Sequence, residues 1–202
     1  ASSGKSVNGS QREKTMIINT SILLGMAEFA PTKDLRDWMN GVIFDFSQPN
    51  NPTLVATDGN TLVAYCALKG EDEDLTCVPS QLLTRADLQG LPAGKDVSLT
   101  FTNTQVDITS QNFSRSIKWT GTVIAPPNWR RLFGQSEPGP STLACALLEK
   151  FAKFAKRNKT DAIVMTAGPH TPSVIRFDRR EDLIGLIMPR NDTVNTDPPD
   201  WV

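Results

Sequence analysis

Basic side chains recur between residues 147 and 158, and the chemistry they could support is phosphate binding. Three of them stand at i, i+3 and i+7, on one face of a helix, with a fourth beside them: Lys150, Lys153, Arg157 and Lys156. Apolar residues repeat at helical spacing on another face: Leu147, Phe151, Phe154 and Ala155. The segment therefore predicts an amphipathic helix packed on a core, whose basic face either contacts phosphate or is simply solvated.

Groups suited to catalysis are few. His170 is the only histidine, and it lies in the turn 168–172 without a nucleophile or carboxylate at a recognisable spacing. The four consecutive acidic residues at 71–74 lack the ligand spacing of a cation-binding loop, so they predict a solvated loop. We therefore expect no catalytic residue, metal site or cofactor, and an enzyme is the least favoured class.

The composition is typical of a globular protein. A chain of 202 residues with 39% hydrophobic content can bury a core, and no stretch is long and apolar enough for a membrane span or has the pattern of a signal peptide. The net charge of −1 excludes a uniformly basic surface, so a nucleic-acid site would need cations concentrated on one face. Cys66, Cys77 and Cys145 lie in apolar runs, which favours buried, reduced thiols in a cytoplasmic protein over a disulfide or metal site.

Three successive units share one order of elements: a short strand, a helix and then further strands. The predicted helices cover about 22–30, 79–88 and 144–158. The predicted strands are 16–18, 41–46, 75–78, 97–101, 106–108, 115–123, 162–166, 173–177 and 183–188, together with a hairpin over 54–65. Tandem units of this kind predict an α+β fold built by internal duplication.

The turn of that hairpin, Thr57-Asp58-Gly59, places glycine where the backbone needs a positive φ. We expect the Asp58 side chain to accept hydrogen bonds from nearby backbone amides, as aspartate does in such turns. The sequence therefore predicts a β-hairpin whose tight turn contains Asp58 and Gly59.

Four motifs, in order along the chain, carry a resemblance to a known family. They are Arg36-Asp-Trp-Met-Asn-Gly-Val-Ile-Phe44, Val55-Ala-Thr-Asp-Gly-Asn-Thr-Leu62, Ala125-Pro-Pro-Asn-Trp-Arg-Arg-Leu132 and Leu186-Ile-Met-Pro-Arg190. They resemble the bacterial DNA polymerase III β subunit, the sliding clamp. The resemblance covers about residues 17–190 and implies the DNA-clamp fold, with repeated helix-plus-antiparallel-sheet units, about three half-domain units here, whose helices line a central hole.

The resemblance also implies how the chain is divided. Residues 15–134 would form one clamp-like domain of two units, and 141–190 a clamp-like half-domain. Residues 1–14 are predicted as a disordered N-terminus and 191–202 as a mobile tail. The family has three full domains, so this chain resembles a shortened homologue of the kind a phage or mobile element could encode. A half-domain would expose a sheet edge, so we expect a homo-oligomer, and four chains would supply the twelve units of a ring.

Two surfaces follow from the resemblance. A hydrophobic groove would bind short Leu/Phe-containing motifs of polymerases and repair proteins, and its implied residues are Met39, Thr57, Gly59, Leu62, Pro127, Arg131, Leu132, Ser173, Leu186, Met188 and Pro189. The implied DNA-binding cations are Lys33, Arg36, Lys150, Lys153, Lys156 and Arg157. Where the family has His-Arg after Asp-Gly, this chain has Asn60-Thr61, which weakens recognition of acidic residues in a partner motif.

The implied function is that of a non-enzymatic processivity factor in DNA replication and repair. It would encircle or contact double-stranded DNA without sequence specificity and dock partner proteins in the cytoplasm. The alternative is a clamp-fold interaction protein that forms no ring and acts as a decoy or regulator of clamp partners.

Overall fold

The computed structural model describes residues 14–48, 51–67, 80–102, 104–119, 127–134, 137, 139 and 141–190. In that part of the chain, α1 spans Thr20–Ala27 and α2 spans Cys145–Arg157, and short 3-10 helices cover Asp37–Met39 and Trp129–Leu132. The strands are β1 (Lys14–Asn19), β2 (Gly41–Asp45), β3 (Thr53–Thr57), β4 (Thr61–Cys66), β5 (Gln81–Thr84), β6 (Asp96–Phe101), β7 (Gln105–Ser110), β8 (Phe113–Lys118), β9 (Ala162–Met165), β10 (Ser173–Phe177) and β11 (Arg180–Ile187).

The strands form two antiparallel sheets that interlock the first two units. One sheet has the order β1-β6-β7-β8, and the other has the order β5-β2-β3-β4-β11-β10-β9. Each of the first two units therefore gives its leading strand to the sheet of the other, since β1 pairs with β6 and β5 pairs with β2. The third unit joins the larger sheet through β11, which pairs with β4. The α+β architecture expected from the sequence is confirmed.

The main core lies between the sheets and the two helices. Six of the eight residues of α1 are buried, and the buried residues of α2 are Phe151, Phe154 and Ala155, as its apolar spacing predicted. Phe29 follows α1 and packs against the rings of Phe151 and Phe154, with centroid separations of 4.9 and 5.8 Å. One aromatic cluster thus joins the first unit to the third.

Two glycines make room for the rings of α2. A Cβ on Gly25, in α1, would lie 2.7 Å from Cδ2 of Phe154, and a Cβ on Gly185, in β11, would overlap the ring of Phe151. Real Cβ atoms do not approach carbon so closely, because interiors are already packed near crystal density. The approach of α2 to both elements therefore depends on the missing side chains.

The first helix begins earlier and ends earlier than predicted. Its N-cap is Asn19, whose side-chain oxygen accepts a hydrogen bond from the Ser21 amide at 3.0 Å. Thr20 is buried in the first turn instead, where its hydroxyl donates to the Pro92 carbonyl at 2.6 Å and accepts from the Lys95 amide at 3.1 Å. Thr20 is thus held by a tertiary contact, and the preceding asparagine caps the helix.

The helix predicted over 79–88 is wrong. Gln81–Thr84 forms β5, which pairs with β2 and buries Leu83 completely. The Asp87 carboxylate then accepts hydrogen bonds from the Thr84 amide at 2.9 Å and hydroxyl at 2.6 Å, and the chain turns through residues 85–90. Pairing with β2 supplies backbone partners that a short, weakly periodic segment could not reveal.

Other predictions change in smaller ways. β8 begins at Phe113 rather than residue 115, and β11 begins at Arg180 rather than 183. The thiols are less buried than expected: Cys145 is exposed and Cys66 half-buried, and both are free, while burial raises the pKa of Cys66. Neither described helix is long and apolar enough to cross a membrane.

Several predictions fall outside the described residues. They are the N-terminal segment 1–13, the acidic run 71–74, the strand 75–78 with Cys77, the start of the third motif at 125–126 and the tail 191–202.

Candidate functional site

The turn between β3 and β4 is held by its own side chains. Gly59 has a φ of +89°, in the left-handed region that the sequence predicted. The Thr57 hydroxyl donates to the Thr61 carbonyl at 2.6 Å and accepts from the Gly59 amide at 3.0 Å. Oδ1 of Asp58 accepts from the amides of Asn60 and Thr61 at 2.9 and 2.7 Å. These hydrogen bonds therefore hold the turn in a single conformation.

The end of β11 lies against this turn. The Met188 amide donates to the Asn60 carbonyl at 2.8 Å, and Leu186 stands opposite Leu62 in the β4–β11 pair. Leu62 in turn stands opposite Thr57. Residues that are more than a hundred positions apart are thus brought together where β4 begins and β11 ends.

A second hydrophobic cluster covers the face of the larger sheet that points away from the main core. We call it the outer cluster; its buried members are Val55, Leu62, Ala64, Trp129 and Leu186, with Phe133, Val174 and Ile184 packed against them. Strand alternation produces it, because every second side chain points away from the helices. Sequence reasoning found only Leu62 and Leu186 of this set, although the alternation in β3, β4, β10 and β11 was the signal for the rest.

The 3-10 helix Trp129–Leu132 covers one side of the outer cluster. Asp45, at the end of β2, holds this helix in place. Oδ2 of Asp45 accepts from Nη1 of Arg130 at 2.7 Å and from the Trp129 indole at 3.2 Å. Burial would raise the pKa of Asp45, whose side chain is 1% exposed, but hydrogen bonds from Ser47, Arg130 and Trp129 lower it below the ordinary value. The carboxylate is therefore charged and holds the segment in place.

The remaining residues implied for the groove differ in position. Leu132 is 36% exposed and Arg131 is exposed, so both reach the surface beside the outer cluster. Met39 and Ser173 are fully buried, which makes them support for the surface rather than part of it. Pro127 is half-buried and Pro189 is buried. Within the described residues, the Ser173 hydroxyl is the one buried side-chain oxygen or nitrogen without a hydrogen-bond partner.

The implied DNA-binding cations lie on the surface, but most already contact carboxylates. The ion pairs are Arg36 with Asp34, Lys150 with Asp58, Lys153 with Glu149 and Arg157 with Glu28. Lys33 and Lys156 are exposed and have no carboxylate partner among the described residues. A phosphate that approaches this surface must therefore compete with bound acids at four of the six positions.

Two of these cations lie beside the turn. A Cβ on Gly59 would stand 3.7 Å from Nη2 of Arg36, and the Lys150 ammonium contacts Oδ2 of Asp58. Burial would raise the pKa of Asp58, but hydrogen bonds from Lys150 and from the Thr61 and Asn60 amides lower it below the ordinary value. Arg36 and Lys150 thus lie beside the turn, where the carboxylates of Asp34 and Asp58 balance their charges.

No protein-family model and no curated protein sequence matches the chain. Solved structures do. The sliding clamp from Bartonella birtlesii, bound to griselimycin, superposes with a TM-score of 0.64 at 14% identity, over 95% of this chain and 69% of that one. The clamp from Pseudomonas aeruginosa gives 0.65 at 11% identity, over 89% and 67%.

The chain has the sliding-clamp fold. The DNA polymerase III β subunit from Borrelia burgdorferi agrees, with a TM-score of 0.58 at 10% identity over 89% of this chain and 63% of that one. The chain thus spans about two thirds of the length of these clamps. At such low identity the likeness concerns the fold, and the function must be argued from this chain's own residues.

The described residues contain no group of three or more histidine, cysteine or acidic side chains placed to hold a metal ion. His170 is exposed in its turn. The outer cluster and the ion pairs of Arg130 and Lys150 form an apolar surface with charged residues at its margin.

Proposed function

We propose that this protein is a non-catalytic, clamp-like factor of DNA replication and repair. It contacts or encircles double-stranded DNA without reading its sequence, and it docks polymerase or repair proteins through short hydrophobic motifs, in the cytoplasm. The observation that carries the proposal is the meeting of the Thr57–Thr61 turn, the end of β11 and the Trp129–Leu132 helix around the outer cluster, within a sliding-clamp fold.

The groove fits a short apolar peptide for physical reasons. The outer cluster offers aliphatic and aromatic side chains, and Leu132 and Met188 at its margin remain partly accessible. A leucine or phenylalanine of a partner would bury its side chain there and gain about 1.5–3 kcal/mol. Arg131 and Arg36, both exposed, would attract acidic residues that flank such a motif.

A peptide-binding measurement tests this proposal. A labelled peptide with adjacent leucine and phenylalanine residues should bind, and Leu132→Ser should weaken it about tenfold, the loss expected for one apolar anchor. The matched control is Leu35→Ser, because Leu35 is a fully exposed leucine outside the outer cluster. Equal loss in both variants, or no binding by the wild-type protein, would count against the groove.

DNA contact is proposed for the surface that carries α2. Lys150, Lys153, Lys156 and Arg157 lie along one helix whose apolar face is packed on the core, so the cations share the accessible side. Contacts to phosphate need no base recognition, and each one adds a salt-sensitive increment of affinity. A closed ring would require further copies of the chain, and four copies of three units would supply the twelve units of a clamp ring.

Topology distinguishes the ring from simple contact. A ring assembled around DNA should remain on a closed circular plasmid at high salt and leave when the plasmid is linearised. The ion pairs at four of the six implied cations favour one alternative, a clamp-fold protein that docks partners without holding DNA. Peptide binding without any DNA retention would establish that alternative and reject the ring hypothesis.

A further inference from the structure

The two ends of the larger sheet are organised alike up to a point. Moving outward from the β4–β11 pair, one direction gives β3, β2 and β5, and the other gives β10 and β9. β2 and β9 therefore occupy matching places, two strands from the centre. β2 has β5 on its outer side, whereas no described strand pairs with the outer side of β9.

The side chains of the two strands differ in exposure accordingly. All five residues of β2 are buried. In β9, Ile163, Val164 and Met165 are 52%, 40% and 54% exposed, although the strand is as apolar as β2. Val164 belongs to the face that α2 covers farther in; Ala162 on the same face packs against the main core, whereas Val164 itself stays exposed.

Edges of sheets usually carry features that prevent pairing with other chains, such as charges, proline or bulges. The outer edge of the smaller sheet follows this rule, because β8 exposes Lys118 and two serines and contains Arg115. β9 has none of these features in its four residues, Ala162-Ile-Val-Met165. The strand has the sequence of an interior strand at an edge with which no described strand pairs, and the nearest described contact is the Glu137 amide, which donates to the Ala167 carbonyl beyond the end of β9 at 2.7 Å.

We propose that β9 pairs antiparallel with β9 of a second copy of this chain, joining two larger sheets into one. The inference rests on the proposed oligomeric clamp and assigns the strand that makes one of its contacts. A twofold axis perpendicular to the sheet keeps both sets of helices on the same side, so residues opposite each other must share a face. With the axis at Val164, Ile163 stands opposite the second copy's Met165, and the two exposed pairs cover each other.

The second copy is favoured over another protein because the edge is complementary to itself. The strand is uncharged, so it can face its own copy without repulsion between like charges. Asp161 directly precedes β9, but antiparallel pairing puts the two Asp161 carboxylates at opposite ends, about 20 Å apart. An isologous contact of this kind is the commonest basis of a homodimer.

Mass measurement on the full chain provides the first test. By light scattering, the wild-type protein should have at least twice the monomer mass at about 10–50 µM, the usual range for such assays. Val164→Lys should halve that mass with an unchanged circular dichroism spectrum, because position 164 already has solvent access. The control is Ala86→Lys, at an exposed position in the turn after β5 and outside the described strands, which should leave the mass unchanged.

A monomeric wild-type protein overturns the inference, and so does an assembly that survives Val164→Lys or falls apart equally with Ala86→Lys. A mass restored by adding a second protein, with the chain itself monomeric, would assign the edge to a different partner and likewise overturn it.

Cross-linking provides the second test. In a background without the native cysteines, Val164→Cys or Ile163→Cys should form a disulfide-linked dimer, because a shared-face pairing puts one of them opposite its own copy at a Cα distance compatible with a disulfide. Ala86→Cys, in the exposed turn after β5, should not form such a dimer. Failure of both β9 variants to cross-link rejects this interface, even if circular DNA is retained. A β9 dimer that does not retain circular DNA supports the interface and rejects the ring.

Discussion

Asp45 and Asp58 are both carboxylates at the ends of strands in the larger sheet, and each holds a separate segment against it. Asp45 holds the 3-10 helix Trp129–Leu132 through an indole and a guanidinium, and its side chain is 1% exposed. Asp58 holds α2 through the Lys150 ammonium, and the two side chains are 14% and 33% exposed.

The difference separates a permanent contact from an exchangeable one. The planar guanidinium of Arg130 also donates to the Thr53 hydroxyl at 3.3 Å and lies 4.3 Å from the centre of the Trp129 ring. Such a fixed geometry is lost only when the segment detaches. Lysine is a flexible point charge, so Lys150 can exchange Asp58 for another anion without unfolding anything. The contact of Asp45 with the Trp129–Leu132 helix is therefore structural, while the contact of Asp58 with Lys150 of α2 can respond to phosphate.

The largest expected effect is at the permanent contact. Asp45→Ala should lower the free energy of unfolding by about 2–3 kcal/mol, because it leaves a guanidinium and an indole without their acceptor. Urea unfolding followed by tryptophan fluorescence measures this, since Trp129 is in the contact. Glu149→Ala removes only an exposed ion pair and should change stability by less than about 0.5 kcal/mol. Similar losses in the two variants would refute the distinction.

Lowering the pH should destabilise the folded protein through both carboxylates, Asp45 and Asp58. Their pKa values in the folded protein lie below the ordinary value of 3.8, so the unfolded chain takes up protons first as the pH falls. Stability from these contacts is thus complete above that value and is lost as the pH drops through the folded pKa values. Urea unfolding between about pH 6 and pH 3 should show a shallower decline in Asp45→Asn than in the wild-type protein. Parallel declines would mean that other groups dominate.

A smaller effect is expected at the exchangeable contact. Asp58→Asn should lower the free energy of unfolding by about 1 kcal/mol, because the amide can still accept from the Thr61 and Asn60 amides. The same variant releases Lys150, so its affinity for duplex DNA at low salt should rise, in contrast with Asp45→Asn. An unchanged or lower DNA affinity would show that Lys150 does not exchange partners.

The smallest expected effect is a difference in the salt dependence of DNA binding between variants of two lysines on α2. Lys156 has no carboxylate partner among the described residues, whereas Lys153 pairs with Glu149 at 2.8 Å. Lys156→Gln should therefore reduce the salt dependence of DNA binding more than Lys153→Gln does, by a fraction of one counterion. Fluorescence anisotropy at several salt concentrations measures the slopes. Equal slopes would indicate that intrahelical pairing is irrelevant to the contact.

Local sequence predicted those parts of the protein that depend on local chemistry. Gly59 and Asp58 determine a turn within five residues, and the apolar spacing of α2 determines its buried face, so both predictions were confirmed. The segment 79–88 was predicted as a helix from local sequence, but residues 81–84 form a strand because they pair with β2. Tertiary pairing overrides propensity in such short segments.

The ion pairs of the site were beyond prediction for a related reason. Asp58 and Lys150 are 92 positions apart, and Asp45 and Arg130 are 85 apart. No motif links them, because one pair joins β2 to the Trp129–Leu132 helix and the other joins the turn after β3 to α2, and both form only in the folded chain. The sequence therefore located the cations, while only the fold shows which of them are already neutralised.

The glycines beneath α2 have a consequence for natural variation. Gly25 faces Phe154, and Gly185 faces Phe151, so each pair divides a fixed volume between two positions. A methyl group added at Gly25 can be accepted only if residue 154 becomes smaller, as in a double change to alanine and leucine. Among diverged copies of this protein, residues 25 and 154 should therefore change together, and so should 185 and 151. Selection for folding from a library of double variants, at residues 25 and 154 or at 185 and 151, would reveal these compensating changes directly.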